Sequence, residues 1–407
     1  MKRIEKIIGV VALWSVMFLS ANAQSSSSAV EMGKKTLKKA QNVADKISKG
    51  KFDSTYVALP EYKWMVTVSG NANYSKFRMK VPVPDIVKEL KEDFGDLIPS
   101  ALLDPKVFTY DMDLHSGAQA VAIGVSYGSI KAKYSFNINS GNDQQLTFET
   151  LGSKFGGFVD YRRSTKMKGT MYNVLDGFEH GADKILAGEE PTLDDALKGG
   201  TNPIGSKYNN YTTLHMQGHY VFNSKHFAYS AARSASRIQK KSAGSFIALA
   251  DFYYSRAKFS ERFIVGTDEK YRTAKLSLGG GYGYNWTPNA GKLLVHASFI
   301  PTVSLFSKSR YSTDLTKDPF VDSEDERTPE EIIAENKKDK ERVDKMINAT
   351  PKLTLNCTAR LSVTWNIDKH FVLGGYASYM YSNYKNKENY SIKEHYVNGN
   401  VYVGYRF

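Results

Sequence analysis

The chain has 407 residues, a formal net charge of +13, a mean hydropathy of −0.42, and 26 Tyr and 21 Phe but one Cys. One cysteine excludes an internal disulfide framework, and no run after the amino-terminal segment has the length and apolarity of a membrane helix. The basic residues are spread along the chain instead of forming one patch, so we do not expect a nucleic-acid partner.

The first 23 residues have the three parts of a secretory signal peptide. A basic start is followed by apolar residues 7–20 and by the small-residue cleavage site Ala21-Asn22-Ala23. We therefore predict a signal peptide over residues 1–23, cleaved near Ala23. Residues 24–60 are predicted to be a periplasmic leader and 61–407 the folded domain.

Long stretches of alternating apolar and polar residues follow the leader. In the segment 352–366, Leu355 and Val363 would lie on the apolar face of a β-strand, and Thr358 and Arg360 on the polar face. This length exceeds the common soluble strand of about five or six residues, and it suits a tilted transmembrane strand with about 9 to 11 residues in the hydrocarbon. Whether 74–80 continues the first strand is left open. The predicted strands are 62–69, 118–127, 130–139, 145–151, 156–164, 211–222, 227–235, 246–255, 273–286, 293–306, 352–366, 371–384 and 396–407.

Thirteen strands conflict with the even number of a single-chain bacterial barrel. The strand prediction is weakest at residues 257–272, where two consecutive strands would run in the same direction. Residues 259–265 are a candidate for a missing strand. The predicted fold class is all-β, a transmembrane antiparallel up-and-down β-barrel of about 12 strands within a range of roughly 10 to 14. Short turns at 223–226, 287–291 and 367–369 are predicted to lie on the periplasmic side.

Two long extracellular loops are predicted near 165–208 and 308–350. Glycines interrupt the first, which has one short helix signal at 192–197. The second contains Thr328-Pro329-Glu330-Glu331, a helix start with a Thr cap, Pro at the first position and a capping-box Glu. This helix is predicted to end near Ile347 and, because it is charged all round, to lie in water.

The carboxyl end combines alternation with a terminal aromatic residue. Val401, Val403, Tyr405 and Phe407 share one face of the last predicted strand. This ending resembles the closing-strand signal of bacterial outer-membrane barrels. The resemblance implies the outer membrane of a Gram-negative bacterium, the barrel assembly machinery as a partner through the strand ending at Phe407, and contact with outer-membrane lipids and lipopolysaccharide.

Four further motifs resemble one family of predicted barrels. They are Phe52-Asp53 with Tyr56-Val57, Phe155-Gly156 with Tyr161, the segment from Gln239 to Ser245, and the segment from Gly280 to Asn285. The family is found in Bacteroidota and is catalogued only as a domain of unknown function. Over residues 52–407 the resemblance implies fold and location, and it implies no activity.

No catalytic, cofactor or metal site is predicted. His215 and His219 lie on a predicted strand, where four residues span about 13 Å, so they cannot share one metal ion. The acidic residues from Asp322 to Glu326 lack the glycine and closing Glu of a calcium loop. Asp111, Asp113 and His115 are interpreted as polar residues at the barrel rim and not as the site of an embedded hydrolase. Cys357 is interpreted as an apolar filler residue.

Two function classes lead, a pore or transport barrel and a surface-structural barrel. The alternative is a barrel-embedded enzyme acting on lipid or peptide. Lys131, Lys133, Lys352 and Arg360 are predicted to face the lumen and would favour anions if the lumen is open. The lumen could instead be filled by side chains and by the loop at 165–208. The sequence leaves the oligomeric state open.

Overall fold

A computed structural model describes residues 38, 41, 42, 45, 50–82, 109–138, 143–165, 167–204, 209–259, 267–314 and 328–407. The predicted signal peptide, most of the leader, residues 83–108 and the acidic run at 322–326 lie outside the described residues. Of the helices within them, none has the length and apolarity needed to cross a membrane.

The described residues are mostly β-strand. The helices that are described over their full length are α1 (Val174–Leu186), α2 (Leu193–Gly199), α3 (Tyr229–Arg233) and α4 (Pro329–Ile347). The strands in chain order are β1 (Val57–Ala58), β2 (Trp64–Pro82), β3 (Thr109–Tyr127), β4 (Ile130–Asn137), β5 (Gln144–Leu151), β6 (Phe155–Thr165), β7 (Lys168–Tyr172), β8 (Thr201–Ile204), β9 (Asn210–Val221), β10 (Ile238–Gln239), β11 (Ala243–Phe259), β12 (Thr267–Trp286), β13 (Leu293–Asp314), β14 (Leu355–Asn366), β15 (Phe371–Lys385) and β16 (Ser391–Arg406).

Twelve antiparallel strands close into an up-and-down barrel. The order around it is β2-β16-β15-β14-β13-β12-β11-β9-β6-β5-β4-β3, and pairing of β2 with β3 completes the ring. The predicted strand 227–235 is therefore wrong, since α3 and irregular backbone occupy it. The weak segment 257–272 holds no extra strand among the described residues, because β11 and β12 pair directly as neighbours.

Apolar side chains cover the outside of the barrel in a continuous band, which we call the belt. On β14, Leu361 and Val363 are exposed, whereas Ser362 and Thr364 face the lumen and are buried. The predicted faces of this strand are confirmed. A lipid-facing apolar surface and a polar lumen are the arrangement of a transmembrane barrel. Every barrel strand contributes to the belt: Val68, Ile123, Phe136, Leu146, Tyr161, Met216, Phe246, Tyr282, Phe299, Leu361, Phe371 and Val401.

Several strands continue past the belt, at the end that carries the long loops, and there their polarity is reversed. On β2, Phe77, Met79 and Val81 face inward and are buried, while Arg78 and Lys80 face outward. This part of the barrel is the rim zone, and the part inside the belt is the belt zone. The rim zone has an ordinary apolar core, to which β3, β9, β11, β12, β13, β15 and β16 also contribute.

The helix α4 covers the rim zone. Thr328 caps its first turn in a capping box with Glu331, as predicted. Its last turns do not lie in water as predicted, because Val343 and Ile347 are buried in the rim core. The side chain of Asn386 fixes the helix end by donating to the carbonyl of Met346 at 2.7 Å.

The predicted loop at 165–208 has its own secondary structure. The strand β7 extends the sheet by pairing with β3 at Asp111–His115, and β8 pairs with β7. The helix predicted at 192–197 is confirmed as α2, with Thr192 as its cap. Tyr172 and Ala196 are buried in the rim core. The described part of the segment therefore lies over the rim and does not fill the belt-zone lumen.

Candidate functional site

The segment between β9 and β11 folds back into the barrel at the end with the short turns. We call residues 222–242 the plug. Its helix α3 is buried at Tyr229, Ser230, Ala231 and Ala232, although a connection between neighbouring strands ordinarily lies on the surface. The small residues allow the backbone of the plug to lie close to the barrel wall.

Polar contacts to four strands hold the plug in place. Arg233 binds Glu149 of β5, with Nε 2.6 Å from Oε1. Three strands of the wall donate to plug carbonyls: Ser362 to Ala232 at 3.1 Å, Arg406 to Ala235 at 2.8 Å, and Asn285 to Ala228 at 3.0 Å. The Arg233–Glu149 pair is almost fully buried, and breaking such a pair costs about 3 to 5 kcal/mol because it leaves a charge without a partner.

The family motifs of the sequence converge at the base of the plug. β1, which contains Val57, pairs with β10, which contains Gln239. The Gln239 Oε1 accepts from the Ala228 backbone at 2.9 Å and from the Asn285 side chain at 2.9 Å. Three of the four motifs therefore build one anchor, to which residues 53–58 contribute.

A cavity of about 150 Å³ lies in the belt-zone lumen beside the plug. Five cationic side chains line it, against two carboxylates, those of Glu149 and Asp160. Tyrosine rings alternate with the cations: Arg162 lies 3.7 Å from the ring centre of Tyr396, and Arg360 lies 3.8 Å from that of Tyr376. The five cations are Lys131, Lys133, Arg162, Arg233 and Arg360.

Most of the lumen lysines and arginines predicted from sequence are brought together here. Lys131, Lys133 and Arg360 line the cavity, as predicted. Lys352 does not, because β14 begins at Leu355 and the Lys352 side chain is exposed. Arg162 and Arg233 were missed. Arg162 could have been found, since it lies on the polar face of a predicted strand. Arg233 could not, because the alternation of residues 227–235 does not distinguish a plug from a strand.

The histidine and acidic residues considered as candidates contact other side chains of the barrel and do not form a common site. His215 and His219 both face the lumen; His215 Nε2 lies 2.5 Å from Asp251 Oδ2, and the His219 ring packs edge-on against Tyr229. Asp111 and Asp113 form ion pairs with basic residues of β2 on the outside of the rim zone. His115 is exposed on the same face of β3. Within the described ranges, no group of three or more His, Cys, Asp or Glu could hold a metal ion.

Residues 109–407 match the profile of a protein family described as a domain of unknown function, DUF4421. The match extends from β3 to the end of the chain, so it includes the plug and most of the cavity. A search of characterised proteins gives no match.

Solved structures with a similar course of the chain are outer-membrane proteins. The outer membrane protease OmpT from Escherichia coli is 7% identical, with 86% of this chain and 97% of that chain covered and a TM-score of 0.34. The translocator domain of the autotransporter NalP from Neisseria meningitidis is 11% identical, with coverage of 93% and 97% and a TM-score of 0.32. The outer membrane protein OprG from Pseudomonas aeruginosa is 7% identical, with coverage of 85% and 96% and a TM-score of 0.23. Likenesses this weak carry no functional argument.

Proposed function

We propose that this chain, which belongs to the DUF4421 family, is a gated transport barrel of a bacterial outer membrane. One observation carries the proposal: the plug occupies the belt-zone lumen beside the cavity. It is held there by one buried ion pair, by hydrogen bonds to the wall, and by apolar packing of residues such as Phe227 and Tyr229. A lumen that only needed filling could use wall side chains alone. A segment seated by hydrogen bonds, one ion pair and small apolar clusters can leave at a cost that a ligand or partner could supply.

The test is conductance of the refolded protein in planar bilayers. The wild type is expected to be closed most of the time, with brief openings. Replacing residues 224–241 by a short turn should give a steady conductance, and Glu149→Gln, which removes the partner of Arg233, should raise the open fraction. Glu61→Gln is the matched control, because Glu61 pairs with Lys369 at 3.5 Å on the outside of the barrel.

A plug-deleted barrel that folds but does not conduct would exclude transport. Equal open fractions in wild type and Glu149→Gln would mean that the Arg233–Glu149 pair does not hold the plug closed. A cross-link supplies the converse test, since Ser362 Oγ lies 3.1 Å from the carbonyl of Ala232. The variant Ala232→Cys with Ser362→Cys, made with Cys357→Ser, should conduct only after reduction.

The outer-membrane location rests on the predicted signal peptide over 1–23 and on the belt. The partners proposed with it are the barrel assembly machinery, through the strand ending at Phe407, and the lipids of the outer membrane. Val401, Val403, Tyr405 and Phe407 are all exposed on the belt face of β16, where such a signal would be read. Recovery in a soluble periplasmic fraction, or a heat-insensitive gel mobility, would contradict this location. That the protein comes from a species of Bacteroidota stays a prediction.

Contact with lipopolysaccharide is supported by a row of arginines. Arg256, Arg272 and Arg310 are directly paired across β11, β12 and β13, on the outer face just past the belt. Like charges at directly opposite positions destabilise a sheet. Lipid phosphates at this height would relieve the repulsion, so the row favours an anionic leaflet beside the rim zone.

The surface-structural and enzymatic alternatives have less support. A purely structural barrel gives no reason for a seated plug beside a charged cavity. For an embedded enzyme, His215 and Asp251 form a buried pair. The second side chain that hydrogen-bonds to Asp251 is the amide of Gln217, however, which is not a nucleophile. We therefore do not assign a reaction.

A further inference from the structure

We propose that the luminal cavity is a binding site for a small multivalent oxyanion of the phosphate or sulfate type. The inference rests on the proposed transport function, for which it names the substrate class. Four cations form the site: Lys131 and Lys133 on β4, Arg162 on β6 and Arg360 on β14. The fifth cation of the cavity, Arg233, belongs to the plug and covers the site from the turn end.

The two carboxylates of the cavity already have other partners. Glu149 binds Arg233 at 2.6 Å. The Oδ1 of Asp160 accepts from Gln145 at 2.8 Å and from Thr147 at 2.7 Å. In the part of the chain that the structure describes, no carboxylate lies within ion-pair distance of any of the four cations. Positive charge therefore exceeds negative charge inside a barrel that is closed by a plug.

Arg162 shows most directly that something is needed to complete the site. Its residue exposure is 6%, and its Nε and Nη1 have no hydrogen-bond partner among the described residues. The Nε of Arg360 is unpaired in the same sense. A guanidinium does not lose its proton in a protein, so these N–H groups remain donors, and a buried donor without an acceptor is costly. A bound anion removes that cost.

The tyrosines orient the two guanidinium groups. Arg162 stacks on Tyr396 and Arg360 stacks on Tyr376, with centroid distances of 3.7 and 3.8 Å. Stacking covers the faces of a guanidinium and leaves its N–H edges to donate, which suits two oxygens of one oxyanion. Lys133 is held at 3.1 Å from the hydroxyl of Tyr376 and adds a compact charge at the same place.

Volume limits the ligand. A volume of this kind needs about 10 to 15 Å³ to hold one water, so the cavity of about 150 Å³ has room for inorganic phosphate or sulfate together with several waters. The four charges favour a divalent anion over chloride, because each added charge on the ligand interacts with all of them.

The test is equilibrium dialysis of the refolded full-length protein against labelled inorganic phosphate, with sulfate and chloride as competitors. The wild type should bind one phosphate saturably, sulfate should compete and chloride should compete weakly. Arg162→Gln and Arg360→Gln should each weaken binding by about tenfold or more, as expected when a hydrogen bond to a charged group is lost. Arg163→Gln is the matched control, because Arg163 is the next residue on β6 and is exposed on the opposite face.

Absence of saturable binding to wild-type protein would overturn the proposal, and so would equal affinity in Arg162→Gln and Arg163→Gln when both are folded by heat-modifiable mobility. If Arg162→Gln does not fold, Arg360→Gln and the wild-type competition still decide. The result for phosphate binding can be distinguished from the result for gated transport. Phosphate binding without any conductance would keep the site and exclude transport, and gated conductance without binding would keep transport and exclude this substrate class.

Discussion

The belt zone and the rim zone use the same strands with opposite polarity. Along β2 the outward positions change from Val68 and Tyr74 to Lys76 and Arg78, while the inward positions change from polar residues to Phe77. The alternation keeps its period of two through this change. What changes is the solvent outside the barrel, lipid around the belt and water around the rim, so the apolar side of each strand moves from the outer face to the inner face.

This reversal means that the two zones are stabilised by different interactions. In the rim zone the hydrophobic effect acts on an interior core, as in a soluble barrel. In the belt zone the wall around the cavity is held together by hydrogen bonds and ion pairs, apolar clusters inside the barrel are confined to the surroundings of the plug, and the outer apolar residues contact lipid. A large-to-small substitution facing inward should therefore be costly in the rim zone, whereas a charge facing outward should be costly in the belt zone.

The largest effect is expected for Met79→Ala in the rim core. Met79 is fully buried, so truncation loses transfer energy and leaves a cavity, at a cost of about 2 to 5 kcal/mol. Lys80→Ala is the control on the same strand, and its exposed pair with Asp111 is worth about 0 to 1 kcal/mol. Amide exchange of the rim segments of β2 and β3 measures the difference. Equal protection in the two variants would mean that the rim zone has no apolar core of its own.

The next effect concerns the outer face of the belt zone. Val401 is 64% exposed on β16, so Val401→Arg should cost about 2 to 4 kcal/mol if it lies near the bilayer midplane. Lys393→Arg is the matched control, since Lys393 is exposed on the same face of the same strand in the rim zone. Denaturant midpoints in lipid vesicles give the two costs. A cost at Val401 no larger than that at Lys393 would contradict the boundary between the zones.

The polarity reversal also explains which strands could be predicted from the sequence. The belt-zone part of each true strand was found, because apolar residues at every second position carried a consistent outward pattern. The outer ends of β2, β3, β11, β12, β13 and β16 were missed or left open. In those ends the apolar residues, such as Phe77 and Phe259, face inward and their charged neighbours face outward. Because the prediction expected apolar residues on the outer face, it assigned these segments to loops.

The plug was beyond the reach of the alternation pattern. Phe227, Tyr229 and Ala231 alternate as in a strand, and only the closed ring of neighbouring strands shows that no place remains for them. The burial of α4 is a different case. Val343, Met346 and Ile347 have the spacing of one helical face, so its packing could have been read from the sequence once charge was considered face by face.

A smaller effect separates the outer surfaces of the two zones. Arg272 lies between Arg256 and Arg310 across three strands, so Arg272→Gln should raise stability in zwitterionic detergent by about 0.2 to 1 kcal/mol. In vesicles containing phosphatidylglycerol the gain should disappear or reverse, because the row then binds phosphates. Lys308→Gln is the control, since its opposite residue on β12 is Ala274. The same change in both lipids for both variants would exclude a lipid-binding row.

The smallest effect is a pH response confined to the turns outside both zones. The backbone N–H groups of Phe371 and His370 donate to Asp368 at 2.6 and 2.7 Å and hold the pKa of Asp368 below its ordinary value of 3.8. On the rim side, the Thr192 hydroxyl and backbone likewise lower the pKa of Asp195 in the cap of α2. A lowered pKa means that the stabilisation is complete above pH 3.8 and is lost as the pH falls through the folded value.

Carboxyl chemical shifts recorded on acidification should therefore show both groups titrating below 3.8, each with loss of exchange protection only in its own turn. For Asp368→Asn the loss of protection at Phe371 should no longer depend on pH, while the turn at Thr192 should respond as before. Asp368 is exposed, and the half-buried Asp195 binds Thr192 and Lys184 of its own loop segment, so neither turn should alter the unfolding of the barrel. A shared titration of the two turns would mean that acid acts on the barrel as a whole, and that the belt and rim zones do not respond separately.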